Sequence, residues 1–166
     1  MGMLVWSLFL LLLLSLQTSW FAFFPGSASA PDFLLLFVVF QAMYGGKKHG
    51  AFWGLAVGLI QDSLTPGTFG FHVFTRSLAG FVIGAAKEKV FKDNIQGYLV
   101  FLTAAVLFAR TAHLVLLLII AQSPGVWLGG YLADALRYWL GNLLAGLLLW
   151  PVLRKIYNYL EKREKY

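Results

Sequence analysis

The sequence contains no cysteine, and charged residues make up only 12% of its 166 residues. Without cysteine the chain can form no disulfide, has no thiolate nucleophile and offers no cysteine ligand to a metal. A soluble domain carries roughly twice this share of charged residues, whereas 60% of this chain is hydrophobic. These values predict one polytopic membrane domain over residues 1–166, because no hydrophilic stretch is long enough for a separate soluble domain.

Six apolar runs, separated by polar or glycine- and proline-rich turns, predict six transmembrane helices. The fold class is therefore predicted as all-α integral membrane, with helices at about 4–24, 32–44, 51–64, 70–87, 97–122 and 128–150 and a basic tail at 151–166. The second and third runs are short for a full span, which indicates tilt or longer helices than these boundaries give. Ala28-Ser29-Ala30 could indicate signal-peptide cleavage, but the preceding run is long and lacks basic residues, which favours a retained first helix.

Basic residues fall in alternate connections between the predicted helices. They are Lys47 and Lys48, then Lys87, Lys89 and Lys92, then Arg154, Lys155, Lys162, Arg163 and Lys165 of the tail. The loops at 25–31, 65–69 and 123–127 contain no lysine or arginine. Because lysine and arginine are enriched in cytoplasmic loops, both termini are expected in the cytoplasm. The tail is expected to bind anionic lipids, and nucleic-acid binding is not expected from such short basic runs beside apolar helices.

Polar residues left inside or beside the helices form a predicted intramembrane cluster. Its members are Asp62, His72, Arg76, Arg110, His113, Asp134 and Arg137. A charge at the middle of a membrane helix costs about 2.5–3.5 kcal/mol on insertion scales, so the charges are expected to be paired. Two ion pairs follow from equal distance to an outward turn: Asp62 with Arg76, and Arg110 with Asp134. Structural pairing, a partner or ligand surface, and ion or proton translocation all remain open as roles for the cluster.

Glycine recurs at every fourth position on two predicted helices, as Gly50, Gly54 and Gly58 and as Gly80 and Gly84. Such stripes allow close approach of another helix, from within the chain or from a partner. The sequence has no G-x-S-x-G, Walker or H-E-x-x-H motif, and its three histidines lack metal-ligand spacing. No enzymatic activity, metal or cofactor is therefore expected.

The sequence contains the motifs Pro31-Asp32, Gly54-Leu55, Gly58-Leu59-Ile60-Gln61-Asp62, Gly70-Phe71-His72, and Gly80 with Gly84. In these motifs it resembles the rod-shape-determining MreD family. The resemblance covers residues 31–90, and elsewhere only the number and length of helices agree. It implies a multi-pass protein of the bacterial inner membrane that belongs to the cell-elongation machinery for peptidoglycan synthesis. It also implies a fold similar to the membrane substrate-binding component of energy-coupling-factor transporters.

The resemblance further implies binding to the bitopic protein MreC, and through it to MreB, RodA and a transpeptidase penicillin-binding protein. The leading hypothesis is thus a non-enzymatic scaffold that binds MreC through the glycine stripes and the Asp62–Arg76 hairpin. The alternative is a solute- or lipid-binding subunit of a transporter, with an outward pocket lined by Arg76, Arg110, Asp134 and Trp127. A channel is disfavoured because the inner halves of the predicted helices contain few polar residues.

Overall fold

The computed structural model describes residues 2–23, 30–65, 70–90, 94–121 and 128–164, and all regular structure in these ranges is helical. The helices are α1 (Gly2–Phe23), α2 (Phe33–Leu64), α3 (Phe71–Val90), α4 (Ile95–Ala121) and α5 (Leu128–Glu164). The all-α prediction is confirmed. The turns predicted at 25–31, 65–69 and 123–127 lie largely outside the described residues.

Three of the described helices are long and apolar enough to cross a membrane, over Gly2–Ser19, Ile95–Ile119 and Gly129–Arg163. They correspond to the first, fifth and sixth predicted spans. The other three predicted spans fall in α2 and α3, where basic side chains such as Lys47 and Arg76 interrupt the apolar sequence. Six spans therefore remain a prediction, while three candidate spans are found.

The polar turn predicted between the second and third runs is a sharp reversal inside α2 at Gly46. Gly46 has φ 79° and ψ −172°, a backbone conformation that glycine adopts readily because it has no Cβ. Residues on either side of this break contact each other: the rings of Phe37 and Trp53 are 5.2 Å apart, and Gly50 lies against Ala42. The limbs of α2 before and after Gly46 thus form an antiparallel helical hairpin.

The first limb of α2 forms the centre of the core. Every residue from 34 to 44 is buried, as expected for a helix that is hydrophobic on all sides. Phe40 shows how the neighbouring helices meet there, because its ring lies 5.8 Å from Trp6 of α1, 6.3 Å from Tyr98 of α4 and 5.8 Å from Trp150 of α5. A run that is short for a membrane span therefore serves as the central element of the bundle.

The second limb of α2 packs backbone to backbone against α3 through the two glycine stripes. Gly50 and Gly80 lie directly against each other, and Gly54 faces the main chain of Arg76. Gly58 and Gly84 make equivalent contacts further along the same pair of helices. A methyl group added at any of these five positions would overlap main-chain atoms of the facing helix segment. Of the two uses predicted for the stripes, the structure shows helix packing within the chain.

The basic tail continues α5 without interruption through Pro151. Its apolar side chains Leu153 and Leu160 are buried, and the ring of Tyr157 lies 4.4 Å from that of Tyr44. On the other side of Tyr44, the Lys87 ammonium donates a hydrogen bond to its carbonyl oxygen at 2.9 Å. Basic residues of α2, α3 and the tail thus lie at one end of the bundle. The orientation inferred from charge stays a prediction.

Candidate functional site

Asp62 is buried near the end of α2 and caps the start of α3. Its carboxylate accepts hydrogen bonds from the backbone N–H groups of Gly70, His72 and Val73 at 2.9–3.0 Å. The first turn of a helix has N–H groups without intrahelical partners, and a carboxylate satisfies several of them at once. The predicted Asp62–Arg76 ion pair is therefore wrong, because the acid is held by the backbone of the helix that carries Arg76.

Arg76 instead pairs with Asp32, the N-cap residue of α2. Its Nη2 donates to Asp32 Oδ2 at 2.6 Å, and the two side chains are 3% and 13% exposed. Asp32 also accepts hydrogen bonds from the Leu35 N–H at 2.9 Å and from the Tyr138 hydroxyl at 3.2 Å. Its own N–H donates to the buried Asn142 at 2.9 Å. This carboxylate thus connects the starts of α2 and α3 with α5.

The second predicted ion pair, Arg110 with Asp134, is also wrong. Asp134 pairs with Arg137 on the same helix at 3.5 Å, and these side chains are 45% and 70% exposed. Arg110 turns inward, where its guanidinium lies 4.1 Å from the ring centre of Tyr138. Its carbonyl accepts a hydrogen bond from the Tyr131 hydroxyl. Equal distance from a turn predicts a similar depth for two residues but does not specify the direction in which their side chains point.

A cavity of about 180 Å³ lies beside these groups, at the end of the bundle opposite Gly46. All five helices contribute to its lining. Four of the seven residues in the predicted polar cluster line it: His72, Arg76, Arg110 and His113. Asp62, Asp134 and Arg137 do not line the cavity. The predicted cluster therefore divides into four cavity residues, the capping residue Asp62 and the exposed Asp134–Arg137 ion pair.

The predicted cluster left out five polar residues that line the cavity: Gln17, Asp32, Gln61, Thr75 and Tyr138. Asp32 was recognised only within the Pro31-Asp32 motif of the family resemblance, and its charge was left out of the pairing. In the structure it caps α2 by accepting a hydrogen bond from the Leu35 N–H. Gln61 stands within the Gln-Asp motif of the family resemblance. Tyr138 follows Asp134 by one helical turn. Adding Asp32 to the intramembrane charges could have provided the partner for Arg76.

The cavity offers guanidinium donors, imidazoles and an amide, a set of groups suited to binding a polar molecule. The Asp32 carboxylate is occupied by Arg76, Tyr138 and the α2 backbone. Within the described part of the chain, no three histidine, aspartate or glutamate side chains come close enough to hold a metal ion. Trp127, which was expected to line this pocket, lies outside the described residues.

Comparison with known proteins supports the family resemblance over nearly the whole chain. The family described as rod shape-determining protein MreD matches residues 1–160. No curated protein and no solved structure matches the chain. The match extends well beyond residues 31–90, where the resemblance was first recognised, and includes α4 and most of α5. The chain belongs to the rod shape-determining MreD family.

Proposed function

We propose that this protein is a non-enzymatic scaffold of the bacterial inner membrane that binds MreC and organises the peptidoglycan synthesis complex. Membership of a family that acts in rod-shape determination and the three apolar helices support this role. We further propose six spans with both termini in the cytoplasm, and indirect association with MreB, RodA and a transpeptidase penicillin-binding protein. The basic tail would bind anionic lipids at the cytoplasmic surface.

The glycine stripes are an unsuitable contact surface for MreC because they pack α2 against α3. A partner helix could reach Gly54 or Gly58 only by separating those two segments. The exposed Asp134–Arg137 pair is the observation that carries the proposal. Charged side chains on the outside of an apolar membrane helix require polar surroundings, and both lie within the candidate span Gly129–Arg163.

The position of the pair suits a bitopic partner. Arg137 and Arg154 are separated along α5 by roughly 26 Å at 1.5 Å per residue, close to the thickness of the hydrocarbon core. This spacing supports a position of the pair near the outer boundary, where the helix of a bitopic protein continues into its extracytoplasmic part. We define the α5 outer face as Asp134 and Arg137 with the exposed leucines Leu132, Leu136 and Leu140. We assign the MreC contact to this face.

The test compares two neutralising substitutions on α5. Tagged wild type, Arg137→Gln and Lys155→Gln are expressed at matched levels with MreC, and the amount of MreC that co-purifies from solubilised membranes is measured. Lys155 is also exposed but lies in the tail, so its variant should retain MreC. We expect Arg137→Gln to lose MreC several-fold. Unchanged recovery with Arg137→Gln would remove the α5 outer face as the contact, and absence of MreC from the wild-type sample would contradict the scaffold function itself.

A solute- or lipid-binding subunit of a transporter is the second candidate function. The cavity favours it, because Arg76 and Arg110 are two of the four residues expected to line such a pocket. Asp134 is exposed on α5 and does not line it. Similarity in fold to the energy-coupling-factor component remains a prediction. Observation of a bound molecule that is also required for uptake of a solute would favour this candidate.

A further inference from the structure

Arg76 presents a buried donor that the bundle itself leaves without an acceptor. The side chain is 3% exposed, and its Nη2 is used by Asp32. No described residue accepts a hydrogen bond from its Nη1, which is buried in the same region. Because a buried charged group is costly unless its hydrogen bonds are made, this donor indicates that an acceptor belongs in the cavity that Arg76 lines.

The charges around the cavity favour an anionic acceptor. The described lining residues include two guanidiniums, those of Arg76 and Arg110, and one carboxylate, that of Asp32. The nearby carboxylate of Asp62 does not line the cavity, and it accepts three hydrogen bonds from backbone N–H groups. Arg110 is oriented by the ring of Tyr138, 4.1 Å away. The lining thus carries surplus positive charge in surroundings that are largely apolar, where attraction to an anion is stronger than in water.

The volume of the cavity and a second buried polar group, on Gln61, narrow the class of ligand. An apolar cavity of about 150 Å³ accommodates benzene, so 180 Å³ can hold a phosphate with a few attached atoms. Gln61 also lines the cavity, and no described residue donates a hydrogen bond to its buried Oε1. A ligand that accepts from Arg76 and donates to Gln61 needs an anionic oxygen and a nearby N–H or O–H donor. The two arginines disfavour a cationic donor, which favours a neutral one such as a hydroxyl group.

We propose that this cavity binds a phosphate ester that carries a hydroxyl group, with the phosphate at Arg76 and Arg110 and the hydroxyl at Gln61. The phosphoglycerol headgroup of an anionic lipid and free glycerol phosphate share this chemistry. The cavity lies beside the starts of α2 and α3, on the side of the bundle away from the basic loops, which is the outer side in the proposed orientation. This binding function goes beyond the scaffold role and does not depend on MreC.

The experiment measures binding to the full-length protein in a neutral detergent. The probes are dioctanoyl phosphatidylglycerol, glycerol 3-phosphate and inorganic phosphate, with dioctanoyl phosphatidylcholine as the headgroup without net charge. Affinity is obtained from the dependence of the unfolding temperature on probe concentration, since a ligand that binds the folded state stabilises it by mass action. Native mass spectrometry gives the stoichiometry, which is expected to be one.

Matched variants separate the cavity from exposed cations elsewhere on the protein. Gln61→Glu keeps the shape of the side chain but adds a carboxylate opposite Arg76, and should weaken phosphatidylglycerol binding about tenfold or more. Arg110→Gln should weaken it similarly and serves as the second variant if Gln61→Glu does not fold. Lys48→Gln alters an exposed cation outside both the cavity and the tail and should bind as the wild type does.

Each result either identifies the source of the ligand or contradicts the proposed binding function. Binding of phosphatidylglycerol alone supports a lipid headgroup site, whereas binding of glycerol 3-phosphate with similar affinity supports a site for the free anion. The proposal is overturned if no anionic probe binds the wild type, or if phosphatidylcholine binds equally well. It is also overturned if both cavity variants bind with unchanged affinity, or if the Lys48→Gln control loses binding to the same extent.

Discussion

Replacement of Asp32 by asparagine tests whether the buried ion pair with Arg76 stabilises the bundle. Asparagine preserves the size of the side chain and one oxygen for capping α2, so the capping contribution of about 1 kcal/mol should largely remain. The charge is lost, and Arg76, which is 3% exposed, keeps a buried guanidinium without its counter-ion. Breaking a buried pair from one side typically costs roughly 3–5 kcal/mol, and we expect a loss of that size.

Asp134→Asn is the matched control, because it removes a carboxylate from an exposed pair with Arg137. Exposed pairs contribute about 0–1 kcal/mol, so the two asparagine variants should differ by roughly 3 kcal/mol in free energy of unfolding. The assay is reversible unfolding in mixed micelles of increasing denaturing-detergent fraction, followed by tryptophan fluorescence and by helical circular dichroism. Agreement of the two signals would establish that a single transition is being compared.

The double variant Asp32→Asn, Arg76→Met separates the ion pair from the other contacts of Asp32. If an uncompensated guanidinium causes the loss, removing it should recover a large part of the stability, since a buried pair can often be replaced by apolar groups at little cost. A loss of less than 1 kcal/mol in Asp32→Asn, equal to that of Asp134→Asn, would refute the reasoning. So would a double variant whose loss is the sum of the two single losses, because contacting partners should be coupled.

Two further predictions concern the packing of α2 against α3. Gly54→Leu should destabilise the protein by about 3 kcal/mol or more, since even a methyl group there would overlap the main chain of Arg76. The control is Gly130→Leu, at an exposed position with open space around it, which should leave the unfolding midpoint unchanged. Equal midpoints for the two variants would contradict the backbone packing. Asp62→Ala should cost more than Asp62→Asn, because alanine leaves the backbone N–H groups at the start of α3 without their acceptor. Hydrogen exchange at the first turn of α3 should rise in Asp62→Ala, and unchanged protection there would exclude the capping role.

The helices were predictable because the length of an apolar run and the turns beside it depend on local sequence. The fifth run was predicted at 97–122 and forms α4 (Ile95–Ala121), and the polar turn at 45–50 contains the reversal at Gly46. The glycine stripes were recognised from their spacing alone. Close helix packing requires small residues on one face, and that requirement is visible in the sequence.

The ion pairs were not predictable because they depend on the rotation of each helix and on contacts between distant residues. A hairpin argument places Asp62 and Arg76 at the same depth but does not specify the direction of either side chain. It also omits the N–H groups at the start of α3, which compete for the carboxylate of Asp62. The actual partner of Arg76 is Asp32, which lies on the central limb of α2. Its position beside α3 follows from the tertiary packing of the hairpin.

The division of the polar cluster makes the two proposed activities separable. Arg137 lies on the exposed surface of α5, while Arg76 and Arg110 line the cavity. If MreC contacts the α5 outer face and a phosphate ester occupies the cavity, Arg137→Gln should lose MreC and keep the ligand. Arg110→Gln should do the reverse, unless occupancy of the cavity alters the position of α5. Tyr138 provides a route for such an effect, because it contacts both Arg110 and Asp32 and follows Arg137 directly in the chain. Loss of MreC in Arg110→Gln would therefore show that the ligand and the partner are coupled through α5.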